Sequence, residues 1–151
     1  MRVELTETVD RPIDQVFAFL SAPEKHEAWV GPVVRDSHQS EGPVHEGTTF
    51  HEEVKFLGRR LGGDWTVTRY EPPHAYEQET SIGKANMRIA FTLTPQGNST
   101  RIDMVTEGDT TGIFKLADSV VARVLRNQQQ ADLDNLKLIL ESGVEAAVSP
   151  S

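Results

Sequence analysis

Between a proline-entered helix near the N-terminus and one long helical segment near the C-terminus, nearly everything in this chain alternates like β-strand. That succession leaves few architectures open. Successive strands joined by short turns pair antiparallel, and a sheet with one apolar face needs a second layer to cover it. The long helix is the natural cover. A sheet curved over it and closed at one end by small helices encloses a hollow, so the expected class is α+β.

The pattern is legible residue by residue. Val3, Leu5 and Val9 alternate with Arg2, Glu4, Thr6 and Thr8, the period of a half-buried strand, with Glu7 as a carboxylate in register with the apolar side. Asp10 is placed to cap the next helix and Pro12 to take its first position, where a missing N–H costs nothing. Val16, Phe17 and Leu20 give that helix its apolar side, and Ser21-Ala-Pro23 ends it. A second short helix runs from Glu24 to Trp29, stopped by Gly31-Pro32.

Six more strands are expected, over 33–39, 47–56, 64–70, 74–82, 84–94 and 100–106. Phe50, Val54 and Phe56 share one face of the second, and Met87, Ile89, Phe91 and Leu93 share one face of the fifth. Gly58 to Gly63, with Arg59-Arg60 inside it, reads as a solvated turn, and Gln96-Gly97-Asn98 reads as a hairpin turn.

The long helix is expected from about Gly112 to Glu141. At about 100° per residue, Ile113, Ala117, Val120, Val121, Val124, Ala131 and Leu138 share a side. Gln128 and Asn135 interrupt it, and Leu133, Leu136 and Leu140 widen it toward the C-terminus. One domain over 1–142, followed by a flexible tail over 143–151, accounts for the chain.

Composition narrows the function classes. The net charge of −8 argues against a nucleic-acid partner, because binding to a phosphate backbone relies on clustered Lys and Arg. Cysteine is absent, which removes disulfides, thiolate nucleophiles and zinc–thiolate sites. No apolar run approaches the roughly 18 residues that span a bilayer, and a cytoplasmic location is the default expectation.

The chain resembles the START-like superfamily, also called SRPBCC or Bet v 1-like, and within it the polyketide cyclase/dehydrase branch. The resemblance is carried by Val9-x-Arg11-Pro12-x-x-x-Val16-Phe17, Pro23 to Trp29, Gly47-Thr-Thr-Phe50, Val67-x-x-Tyr70-Glu71-Pro72-Pro73, Phe91-x-Leu93-x-Pro95, Ser99-Thr100-Arg101-Ile102 and Leu133-x-x-Leu136-Lys137-x-x-Leu140-Glu141. It implies a helix-grip fold, a seven-stranded antiparallel sheet around the C-terminal helix with a cavity between them. It also implies a small hydrophobic ligand such as a polyketide, lipid or aromatic metabolite. A cofactor-free polyketide cyclase or dehydratase in the same cavity is the alternative, and a protein-interaction or chaperone-modulating module a further one. Fold alone does not choose among them.

The residues exclude more chemistry than they propose. The five histidines show no paired ligand spacing, so no metal is expected, and no cofactor either. There is no Gly-x-Ser-x-Gly elbow and no phosphate-binding glycine loop. For general acid–base work the candidates are Tyr76, Gln78, Arg69, His51 and Glu7. Gln128 and Asn135, as amides, can only orient a ligand. The residues expected to line the hollow are Trp29, Phe50, Trp65, Tyr76, Met87, Phe91, Met104, Phe114, Leu116, Val120, Val124, Gln128 and Asn135. The connection from Thr106 to Gly112 is read as a loop able to flex and admit a ligand. Ligand identity and oligomeric state, a homodimer included, lie beyond the sequence.

Overall fold

A long helix lies against one face of a seven-stranded antiparallel sheet, and two short helices close one end. The computed structural model describes residues 1–38, 42–82, 85–110 and 114–143. The expectations for Gln39, Lys84, Gly112, Ile113 and the tail beyond Gly143 fall outside them. The strands are β1 (Arg2–Val9), β2 (Val33–His38), β3 (Thr49–Phe56), β4 (Arg59–Glu71), β5 (Ala75–Ile82), β6 (Ala85–Gln96) and β7 (Ser99–Asp109). Their spatial order is β1-β7-β6-β5-β4-β3-β2. β2 through β7 therefore form a meander, and β1 is an edge strand that pairs with the last strand of the chain.

Helix α1 (Ile13–Leu20), a 3-10 turn (Pro23–Lys25) and α2 (His26–Trp29) carry the chain from one edge of the sheet to the other. α1 buries Val16, Phe17, Phe19 and Leu20. Its N-cap is Pro12, which makes no side-chain cap bond. Asp10 does not cap it as expected. The Asp10 carboxylate accepts from Ser99 Oγ at 2.9 Å instead, and its backbone N–H donates to Glu141 Oε2 at 2.7 Å.

Three strands run longer than expected. β4 begins at Arg59, so the turn after β3 is only Leu57-Gly58, with φ of 49° and 76°. Two positive φ values in a two-residue loop match the twist of a hairpin. A leucine in that conformation gives no sequence warning, whereas the doublet Gly62-Gly63 imitates a turn while lying inside the strand. Arg59 and Arg60 are exposed, paired with Phe56 and Lys55 of β3. β6 continues to Gln96 and turns through Gly97-Asn98 directly into Ser99. β7 continues to Asp109, so Thr106 belongs to a strand rather than to a flexible connection.

Helix α3 spans Asp118–Ser142 and ends on Gly143, whose φ of 76° is the left-handed cap glycine adopts without strain. Its buried residues are Val121, Leu125, Gln129, Asp132, Leu133, Leu136 and Leu140. The expected stripe through Ala131 and Leu138 is therefore rotated: Ala131 is exposed and Leu138 is 68% accessible. Two polar residues, Gln129 and Asp132, occupy core positions, and a hydrophobicity pattern assigns such residues to solvent.

α3 is tied along β1. Arg126 Nη1 donates to the Glu4 carbonyl at 3.1 Å, and Lys137 Nζ to the Thr8 carbonyl at 2.8 Å. Arg11 Nη2 donates to the Glu141 carbonyl at 2.6 Å. Lys137 also lies 3.5 Å from Glu7, which explains a carboxylate on the inward side of β1. Arg126 and Lys137 thus cover two carbonyls on an edge strand that would otherwise invite another strand.

At the other end of β1, Met1 and Gly108 exchange backbone bonds, N to O at 3.0 Å and 3.1 Å. A β-carbon on Gly108 would press into the Asn86 carbonyl and stand 2.9 Å from Met87 Cα, both backbone of β6. Gly108→Ala should therefore lower the free energy of unfolding by about 1–3 kcal/mol. Urea denaturation measures it, and an unchanged midpoint would show that β6 and β7 can part without cost.

Candidate functional site

The inward face of the sheet divides into a filled half and a hollow half. In the filled half, Tyr76, Phe91, Leu93, Ile102 and Met104 meet Phe17, Leu20 and Trp29 from the short helices and Leu133, Leu136 and Leu140 from α3. Trp29 and Phe91 pack edge to face with centroids 6.2 Å apart, and Tyr76 tilts against Phe91 at the same distance. Phe50 stacks on Trp65 at 6.4 Å, and His26 meets Phe50 and Trp29 edge-on at 5.7 Å and 6.0 Å. This aromatic layer is the floor of the hollow half.

Beyond the floor the inward side chains shorten, and a cavity of ≈ 150 Å³ opens between the sheet and the N-terminal half of α3. β3 and β4 supply Val54, Phe56, Leu61 and Trp65, and β5 and β6 supply Thr80, Ala85, Met87 and Ile89. α3 supplies Val121 and Leu125, while Val30, Pro32 and Val33 close the side nearest α2. Phe114, just before α3, meets Phe56 edge-on at 5.8 Å and bridges the helix approach to the β3–β4 hairpin. Gly63 faces Glu52 across β3–β4 and adds no side chain to this wall.

The acids and glutamines in the wall are already bonded. Glu52 and His26 are both buried, with His26 Nδ1 2.6 Å from Glu52 Oε2. Asp132 Oδ1 accepts from the Gly31 N–H and from Gln128 Nε2, each at 2.9 Å. Gln129 Oε1 accepts from Thr106 Oγ1 at 3.0 Å. Buried polar groups are tolerable only when paired in this way. Gly31 is required for its approach: a β-carbon there would lie 2.7 Å from Gln128 Nε2 and 3.3 Å from Asp132 Oδ1. Burial pushes the Asp132 carboxyl above the usual aspartate range, only partly offset by the bonds from Gly31 and Gln128.

Of the residues expected to line the hollow, Trp65, Met87, Phe114 and Gln128 stand in the cavity wall. Phe50 lies one layer behind, stacked on Trp65. Trp29, Tyr76, Phe91 and Met104 belong to the filled half, buried in the core. Tyr76 donates to Gln78 Oε1 at 2.9 Å, a pair buried on the inward face. Val120 and Val124 are half-buried outside the wall. The expectation for Leu116 and Asn135 is not met: Leu116 precedes the helix and is 47% accessible, and Asn135 points outward between Leu133 and Leu136.

Among the acid–base candidates, His51 pairs with Asp64 at 2.8 Å and Arg69 with Glu71, all on the face away from α3. Glu7 is held by Lys137. Sequence reasoning missed Glu52 and Asp132. Glu52 carried a signal, because it alternates in phase with Phe50, Val54 and Phe56. Asp132 carried only its spacing, one turn from Gln128. Among the described residues no group of three or more His, Asp or Glu side chains is arranged to hold a metal ion.

The same arrangement of sheet and helices occurs in known proteins. The family model described as "Polyketide cyclase / dehydrase and lipid transport" matches residues 1–141. The chain belongs to that family. Structures similar to this polyketide cyclase/dehydrase and lipid transport family member include a START superfamily protein from Mycobacterium smegmatis, with TM-score 0.77, 14% identity and coverage of 93% of this chain and 97% of that one. The di-domain ARO/CYC BexL of the BE-7585A biosynthetic pathway aligns with TM-score 0.75 and 14% identity, covering 95% of this chain and 47% of that one. Ara h 8.0201 aligns with TM-score 0.66 and 15% identity, covering 93% and 98%. At these identities the likeness establishes the fold. No curated protein sequence gives a significant match. Among the described residues no helix is long and apolar enough to cross a membrane.

The raised Asp132 carboxyl has a sign that can be tested. Its folded-state pKa lies above the unfolded 3.8, so the folded chain binds the proton more tightly. The stability this group contributes is complete below 3.8 and is lost as pH rises through the folded-state value. Asp132→Asn removes that loss while keeping an oxygen for Gly31. The stability of the variant relative to the parent should therefore increase as pH is raised from 4 toward 7, measured by urea unfolding. A difference that does not change with pH would remove Asp132 from the buried titrating groups.

Proposed function

We propose that this protein binds a small hydrophobic molecule in the cavity between the sheet and α3. The observation that supports this reading is the cavity itself, ≈ 150 Å³ of space walled mainly by aliphatic and aromatic side chains between the sheet and α3. Open apolar space forfeits the contacts its lining would make in a packed core, and an apolar ligand restores them. Membership in a family described by polyketide and lipid chemistry supports the same reading. A polyketide, a lipid or an aromatic metabolite fits the wall. Trp65, Met87, Phe114 and Gln128 are the contacts expected on the sequence that also lie in it.

Leu125→Trp places an indole in the cavity from the helix side and should weaken uptake of a hydrophobic fluorescent probe by at least about tenfold. Val124→Trp, one residue away and outside the wall, should leave uptake unchanged. Both variants are checked by circular dichroism. Equal uptake by a folded Leu125→Trp protein would place ligand binding elsewhere.

A second reading, cofactor-free cyclisation or dehydration, is supported by the buried His26–Glu52 pair at the cavity floor. A carboxylate held by an imidazole in an apolar wall can take a proton from a carbon flanked by carbonyls and return it to oxygen. On this reading Glu52→Gln lowers turnover of a poly-β-ketone substrate by about 10²-fold or more while probe binding persists. Turnover equal to that of the parent would leave binding as the sole role of the cavity.

A further inference from the structure

We infer that the cavity selects apolar molecules whose polar end donates a hydrogen bond, an alcohol, a phenol or an amine, and rejects those that end in a carboxylate. This rests on the cavity being the binding site and goes further, because it assigns the chemical class of the head group.

The selection follows from the charges in the wall. Among the described residues, the charged side chains in the lining are Glu52 and Asp132, both acidic and both almost fully buried, and neither Lys nor Arg joins them. A ligand carboxylate entering this space would lose its water and find no cation in that wall to replace it. It would instead face two acids whose own solvation is already reduced. Burying an unpaired charge is costly, and placing it beside like charge adds to the cost. The amides do not reverse the balance. Gln128, Gln129 and Asn86 keep amide N–H groups able to bond a carboxylate, but a neutral donor does not offset the charge of two buried acids.

The same groups suit a donor. Both hydrogen bonds to Asp132 land on Oδ1, from Gly31 and Gln128, so neither occupies Oδ2. His26 lies against Oε2 of Glu52, on the side of α2. A hydroxyl or ammonium proton arriving from the cavity thus meets carboxylate oxygens already fixed in place by the protein. No rearrangement of the wall is required, and fixed acceptors lower the cost of binding. Discrimination arises as much from repelling the wrong head group as from holding the right one.

The test is a series on one skeleton: naphthalene, 2-naphthol, 2-naphthylmethylamine and 2-naphthoic acid, titrated into the protein at pH 7.5 by calorimetry. The expected result is that the naphthol and the amine bind at least about tenfold more tightly than the naphthoate. Naphthoate binding as tight as the naphthol, with naphthalene also bound, overturns the head-group assignment and leaves the cavity as a ligand site. If no member of the series binds, the cavity reading itself falls and takes this inference with it. Glu52→Gln and Asp132→Asn, each confirmed folded by circular dichroism, should bind naphthoate more tightly and the amine more weakly than the parent. An unchanged ranking in both variants also overturns the assignment.

Discussion

Everything in this structure depends on α3 being held at its rim rather than along its whole length. Arg126 and Lys137 anchor it to the Glu4 and Thr8 carbonyls of the edge strand, and Arg11 holds its last turn. The C-terminal half then sinks three fully buried leucines, Leu133, Leu136 and Leu140, into the aromatic core. Each contributes about 1.5–3 kcal/mol through burial. With one half packed and the edge tied, the N-terminal half is carried across the sheet as a rigid extension. Side chains beneath it need not reach it, and a fold held this way can tolerate a hollow.

The polar groups of the cavity extend that arrangement. Asp132 joins α3 to the turn after α2 through Gly31, Gln129 joins it to β7 through Thr106, and Glu52 joins β3 to α2 through His26. Each bond connects two different elements at the boundary between the filled and hollow halves. Buried polar groups of this kind add little net stability but fix geometry, since any shift leaves an unpaired group behind. The cavity wall is thus held in place by hydrogen bonds where it lacks the contacts of a packed core.

Much of the fold was legible because alternation and turn chemistry agree with tertiary burial over most of the chain. β1, β5, β6 and β7 follow their apolar period, and the helix pair follows from Pro12, Pro23 and the run to Trp29. The failures have physical causes. Leu57 adopts a turn conformation that its chemistry disfavours, and Gly62-Gly63 looks like a turn but lies in a strand. The α3 stripe was misplaced because Gln129 and Asp132 are core residues satisfied by partners far away in sequence. The site was less legible than the fold. Large aromatics such as Trp29, Tyr76 and Phe91 are drawn to the densest packing, so they fill the closed end. The wall of the hollow includes smaller residues, Val54, Thr80 and Ala85 among them, whose role depends on what is missing opposite them.

Gly63 shows what this means for the range of molecules such a scaffold can accommodate. It shares its face of β4 with Leu61 and Trp65, directly across from Glu52. Its φ is not positive, so the backbone there is one that other residues also adopt. A side chain at that one position would narrow the cavity, apart from the anchors that keep the helix in place. The width of the hollow and the anchoring of the helix are thus set by different residues.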